Sequence, residues 1–155
     1  MEKTYLVSKD ELPHFAMAVT RSLNEVVLEE AVVLALRGDL GAGKTTLVKE
    51  IAKDLGVVET LTSPTFVLMK FYQPEICKTN FQELVHIDAY RLSEVEEIEA
   101  LGWEFLLKKP NTLICVEWPE IIQSVLPEKY FSLSLTVLDE ETREVTTNFE
   151  IDFKF

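Results

Sequence analysis

Apolar positions along this 155-residue chain change their period several times, and each change predicts an element. Thr4 to Val7 reads as a short first strand. Leu12, Phe15, Ala16, Val19, Leu23 and Val26 then recur at steps of three and four, the spacing of one helix face. Ser8 or Asp10 would cap that helix, and Pro13 is tolerable only in its first turn. Ala31 to Leu36 is an unbroken apolar run without the alternation of a half-wet sheet, which predicts a central strand covered on both faces. A helix from about Lys44 to Leu55 follows, with Leu47, Val48, Ile51, Ala52 and Leu55 inward and Gly56 as its stop. Phe66 to Tyr72 and Leu84 to Ile87 read as strands joined by an exposed polar connection, Gln73 to Gln82. Ser93 with Glu96 three residues on predicts a capping box for a helix reaching about Leu107, and Thr112 to Val116 is another buried-type strand.

The last quarter switches to strict alternation. Phe131, Leu133, Leu135 and Val137 are separated by Ser132, Ser134 and Thr136; Val145, Phe149, Ile151 and Phe153 are interleaved with polar residues. Two antiparallel strands with one solvated face fit that pattern. The elements together predict a three-layer α/β fold, with a central mostly parallel sheet and a C-terminal antiparallel hairpin. No repeat or Gly/Pro/Ser-rich linker divides the chain, so residues 1–155 are expected to form a single domain.

Chemistry enters between the first buried strand and the second helix. Gly38-Asp39-Leu40-Gly41-Ala42-Gly43-Lys44-Thr45 matches G-x-x-x-x-G-K-[ST], the phosphate-binding loop, in the strand-to-helix setting its mechanism requires. Glycines let successive backbone N–H groups turn inward around anionic oxygens, and the helix N-terminus adds positive potential. Lys44 would bridge the terminal phosphates and Thr45 Oγ1 would ligate Mg²⁺. The fold expected is therefore P-loop NTPase-like, and the single domain is read as a P-loop ATPase once the nucleotide and the resemblance below are weighed.

Hydrolysis also needs carboxylates near the metal and the attacking water. Asp88 follows Leu84-Val85-His86-Ile87, and Glu117 follows the run ending at Val116. If both strands run parallel to Ala31–Leu36, these residues and the loop meet at one sheet edge, where open α/β folds bind ligands. Ser63-Pro64-Thr65-Phe66 offers hydroxyls for a nucleotide-sensing switch. His86 reads as a hydrogen-bonded packing residue rather than a base, and Trp118 equally as a core aromatic or a wall of the site.

Composition narrows the partners. Fifteen Lys and Arg against 27 Asp and Glu leave a net charge of −12, which argues against a stand-alone nucleic-acid binder. The 47% of hydrophobic residues suffices for a packed core, yet no apolar run approaches a membrane span. The N-terminus lacks the basic-then-apolar pattern of a signal peptide, so a cytoplasmic protein is expected. Cys77 and Cys115 form no CxxC pair, and neither a disulfide nor structural zinc is expected.

Guanine-specific switches carry DxxG and NKxD; none of the six aspartates has a glycine three residues on, and NKxD is absent, which favours ATP. Four arginines are few for a small-molecule kinase of this fold, which closes several over the transferred phosphoryl group. That kinase reading and a nucleotide-dependent binding module without turnover are the alternatives to an accessory ATPase.

Gly38 to Thr46, Ser63-Pro64-Thr65-Phe66, His86-Ile87-Asp88-Ala89-Tyr90-Arg91-Leu92 and Val116-Glu117-Trp118-Pro119, in that order, resemble the bacterial TsaE (YjeE) family. The resemblance implies an ATPase required for threonylcarbamoyladenosine formation at the adenosine next to the anticodon in tRNAs reading A-starting codons. It implies TsaB and TsaD as partners, with tRNA touched only indirectly. Carried over by motif, Gly41, Ala42, Gly43, Lys44, Thr45 and Thr46 bind phosphates, Thr45 and Glu117 serve Mg²⁺, Asp88 supports hydrolysis beside the metal, and Thr65 belongs to the switch. The family pattern also implies nucleotide contacts from Lys9 to Glu11 and from Glu120. Arg143, expected in the turn of the final hairpin, is a further candidate, and Gly38, Asp39, Leu40 and Trp118 complete the expected binding set.

Overall fold

The structure, a computed structural model, describes residues 2–26, 29–62 and 68–153. Seven strands form one sheet: β1 (Lys3–Ser8), β2 (Val32–Arg37), β3 (Met69–Tyr72), β4 (Glu83–Asp88), β5 (Thr112–Glu117), β6 (Phe131–Val137) and β7 (Thr142–Thr147). Their order across the sheet is β1, β7, β6, β2, β5, β4, β3. β2 lies parallel to both β5 and β6, and β5 parallel to β4, so four middle strands share one direction. β7 runs antiparallel to β6, β1 antiparallel to β7, and β3 antiparallel to β4.

Strand alternation divides the core in two. Val32, Leu34 and Leu36 of β2 face α1 (Leu12–Asn24) and α2 (Lys44–Leu55), where they meet Phe15, Val19, Leu47 and Ile51. Val33 joins Val85, Ile87, Ile114 and Val116 on the opposite face, under Ile98, Trp103, Leu106 and Ile122. Each side chain of Leu or Ile size buried this way contributes about 1.5–3 kcal/mol, so an unbroken apolar strand is at home only in such a doubly covered place. The three layers and the mostly parallel centre agree with the sequence reading.

Both long helices follow their periodicity. Ser8, rather than Asp10, is the cap: its hydroxyl accepts from Glu11 N at 3.3 Å while the Glu11 carboxylate accepts from Ser8 N at 2.9 Å. This capping box closes a 3-10 turn, Lys9–Glu11, that feeds directly into α1. α2 ends at Gly56 in left-handed conformation (φ +100°), as expected.

Three expectations need correction. The helix predicted over Ser93–Leu107 is two short ones, α3 (Glu96–Glu99) and α4 (Trp103–Leu107), because Gly102 adopts φ +85° between them. The capping acceptor is Glu97 rather than Glu96: its Oε1 takes bonds from Ser93 N, Ser93 Oγ and Glu94 N. The last strand stops at Thr147, where the Thr147 hydroxyl turns to Phe149 O and the Asn148 side chain bonds Ser132 N and Tyr130 O. Ile151 and Phe153 are still buried, but as an irregular segment packed on α1 and β1: Phe153 meets the Phe15 ring edge-on at 5.0 Å, and Tyr5 Oη accepts from Ile151 N. The start of the strand expected from Phe66, at Phe66 and Val67, falls outside the described residues. Among the described residues no helix is long and apolar enough to cross a membrane.

Candidate nucleotide site

The loop between β2 and α2 is held in place by its glycines. Gly38 has φ +149°, and a Cβ there would stand 2.7 Å from the Leu135 carbonyl oxygen of β6, so the loop lies against the neighbouring strand with no room for a side chain. Gly43, at φ +107°, caps α2 without a side-chain acceptor and leaves the first N–H groups of the helix unclaimed by a cap. Ala42 N closes a turn on Asp39 O at 3.0 Å. Leu40 at the loop tip is 81% exposed.

Lys44 is buried although it carries the loop's charge. Its Nζ donates to Gly38 O and sits 3.6 Å above the centre of the Trp118 ring. Burial holds this ammonium below its ordinary pKa, against the opposing pull of Glu117, Glu120, Asp88 and Asp39. Trp118 takes a left-handed conformation (φ 57°, ψ 51°) directly after β5 and packs against Tyr90 at 5.0 Å.

The parallel register of β4 and β5 sets Asp88 opposite Glu117 at the strand C-terminal ends. Thr45 Oγ1 lies 2.8 and 2.9 Å from the two Glu117 carboxylate oxygens and donates to them. Glu117 is only 3% exposed, and its Oε2 is also 2.5 Å from His86 Nε2. Asp88, less buried, accepts from Tyr90 N at 3.0 Å and so caps the turn Ala89–Arg91. Leu40, Gly41, Gly43, Lys44, Thr45, Thr46, Asp88, Glu117 and Trp118 line one cavity of about 240 Å³. The conditional placement of both carboxylates beside the loop is thus what the fold produces.

A second, more apolar cavity of about 280 Å³ opens on the other side of the loop, sharing Gly41, Gly43 and Thr46. Val7, Leu12, Phe15, Leu135 and Val145 supply its apolar walls, and Lys9 and Arg143 its cations. Arg143 is not in the hairpin turn: it is the second residue of β7, paired with Val7 of β1, and its Nε donates to Ala42 O at 3.0 Å. Glu11 lines neither cavity, since its carboxylate is spent on the Ser8 cap. Glu120 also lies outside both, exposed and 3.9 Å from Arg37. Thr65 and the rest of Ser63–Phe66 fall outside the described residues.

Sequence reasoning undervalued His86. A buried histidine on a strand implies a hydrogen bond, but its partner follows only from the strand register, which puts His86 and Glu117 on one face of neighbouring strands.

Comparison with known proteins agrees with this geometry. The family model "Threonylcarbamoyl adenosine biosynthesis protein TsaE" matches residues 7–145. The chain is 40% identical to the tRNA threonylcarbamoyladenosine biosynthesis protein TsaE of Treponema pallidum over 77% of its length and 84% of that protein's. It is 38% identical to the protein of the same name from Rickettsia prowazekii, over 96% of this chain and 97% of the relative. Among solved structures it resembles Bacillus subtilis YdiB, with a TM-score of 0.69 and 26% identity over 95% of this chain and 84% of that one. A phosphate loop facing two strand-end carboxylates, in a chain matched along nearly its whole length, places this protein in the TsaE family of threonylcarbamoyladenosine biosynthesis proteins.

Proposed function

We propose that this protein is a cytoplasmic, single-domain P-loop ATPase that hydrolyses Mg-ATP in support of tRNA threonylcarbamoyladenosine formation, with TsaB and TsaD as partners and tRNA reached only through them. The observation that carries the ATPase reading is the Thr45–Glu117 hydrogen bond at the mouth of the loop. A hydroxyl has one proton and two lone pairs; with the proton given to Glu117, the lone pairs remain for a cation. Thr45, Glu117 and Asp88 supply only oxygen donors, the set a hard cation such as Mg²⁺ prefers. Among the described residues no three His, Cys, Asp or Glu gather into a metal-binding group, so any cation here would be held by Thr45, Glu117 and Asp88 alone among protein side chains. When bound, Mg²⁺ neutralises charge on the β- and γ-phosphates.

The chain's own groups do the rest. The N–H groups of Gly41 to Thr46 cradle phosphate oxygens, and Lys44 leaves the Trp118 face and Gly38 O to bridge the terminal phosphates. Asp88, at the level of Glu117 but freer, accepts a hydrogen bond from the attacking water. Thr65 serves as the switch hydroxyl. The apolar cavity beside Lys9 and Arg143 takes the base and sugar. The names of the relatives support the pathway, and the strong net negative charge supports a subunit that leaves tRNA to others.

The test is phosphate release from Mg-ATP by the purified protein, alone and with its host's TsaB–TsaD pair, using Lys44→Ala as the blank. Slow turnover that the pair accelerates is the expected result. Absent turnover under both conditions overturns the ATPase reading.

A further inference from the structure

His86 is fully buried on β4, yet neither phosphate binding nor water activation uses it. Alternation along the strand puts it on the face of Leu84, turned toward α2, and the register sets it beside Cys115 of β5, two residues before Glu117. Leu84 and Cys115 are apolar company, and His86 Nδ1 is buried with no hydrogen-bond partner among the described residues. An apolar residue would occupy that position without such a desolvation cost. What histidine supplies there is Nε2, 2.5 Å from Glu117 Oε2. Facing a carboxylate, which can only accept, Nε2 carries a proton and donates it.

Glu117 is thereby held by two donors from different elements: Thr45 from α2, across both oxygens, and His86 from β4, on Oε2. Without the second donor a carboxylate can rotate about its terminal torsion, which is broad and weakly restrained. Rotation would release the Thr45 proton and turn its lone pairs away from the loop mouth.

Resting on the ATPase reading, we infer that His86 is a positioning residue for the magnesium site: as a hydrogen-bond donor it fixes the Glu117 carboxylate, which in turn orients the Thr45 hydroxyl toward the cation. Such supporting donors typically govern metal affinity by about 10- to 100-fold.

The test compares wild type, His86→Leu and His86→Gln by calorimetric titration with the β,γ-imido analogue of ATP, across a magnesium series and in EDTA, with thermal melts confirming folding. Gln carries an amide donor near the depth of Nε2, and Leu has none. His86→Leu is expected to raise the magnesium concentration for half-maximal tightening by about 10-fold or more. Its affinity in EDTA should stay within about twofold, and His86→Gln should recover most of the magnesium response. Where the Leu variant does not fold, His86→Asn, whose amide stops at the depth of Nδ1, takes its place.

A Leu variant with the wild-type magnesium response overturns the role. So does a folded Gln variant no better than Leu, or an equal loss of affinity with and without metal, which marks mere packing. Wild-type binding that ignores magnesium overturns the metal reading itself, and is seen before any substitution is made.

Discussion

Replacing Gly38 with alanine should be among the most damaging single-methyl changes in this protein. The new Cβ would meet the Leu135 carbonyl oxygen at 2.7 Å and the Ala42 Cβ at 3.1 Å, at a φ of +149° that L residues rarely adopt. Backbone strain of this kind costs about 1–3 kcal/mol, and forcing a methyl into filled space about 1–3 more. Because the obstructing atom is backbone oxygen of β6, relief requires the loop to lift off the sheet. We expect about 3–4 kcal/mol of destabilisation, or a fall of roughly 6–16 °C in melting temperature at about 2–4 °C per kcal/mol for a chain of this size. Gly102→Ala is the matched control: φ is +85° but nothing lies within 4 Å, so only the left-handed cost of about 1–2 kcal/mol applies. Urea denaturation of both variants at one pH measures the difference directly. Equal destabilisation would refute the view that the loop is wedged against β6, leaving dihedral strain as the whole effect.

Three further outcomes are expected. The lowered pKa of Lys44 means the free protein begins to lose this charge below pH 10.5, so the logarithm of nucleotide affinity should bend downward before that pH; a profile flat up to 10.5 contradicts the burial argument. By linkage, the same depressed pKa makes the charged Lys44 a cost at neutral pH that is relieved as pH rises from the folded value toward 10.5. Glu117→Ala should abolish magnesium-dependent phosphate release while sparing nucleotide binding in EDTA, and should destabilise by about 1–3 kcal/mol by orphaning the buried His86 donor; normal hydrolysis would remove Glu117 from the metal. Nucleotide should alter tryptophan emission through Trp118, from whose ring Lys44 departs, whereas buried Trp103 is tied to Val125 O; the change should vanish in Trp118→Phe and persist in Trp103→Phe.

Legibility followed the length scale of each constraint. Leu47, Val48, Ile51, Ala52 and Leu55 announce α2 because their spacing is the helix period itself, and the loop before it is a local backbone problem written in glycines. Asp88 and Glu117 were legible as a pair because each ends an apolar run. The bond from His86 to Glu117 spans 31 residues and exists only through the β4–β5 register, which no local pattern encodes. The helix expected from Ser93 to about Leu107 spans Gly102, whose positive φ breaks it in two. Alternation past Thr147 reported burial of Ile151 and Phe153 correctly and strand pairing wrongly, since burial sets the pattern whether or not a ladder forms. Arg143 is expected in the hairpin turn but lies in β7, because the polar residues before Val145 carry no local mark of where the turn ends and the pairing with β1 begins.

The pairing of β1 with β7 joins residues 3–8 to residues 142–147, and both strands wall the apolar cavity beside the phosphate loop. During synthesis the loop, β2 and α2 emerge about ninety residues before β6 and β7 are complete, and until then the cavity lacks Leu135, Arg143 and Val145. Closing so long a loop is entropically slow and comes late in folding. A chain cut before β6 would therefore display the phosphate motif without Leu135, Arg143 and Val145, and if this cavity seats the nucleotide as proposed, bound nucleotide would stabilise only chains that carry them.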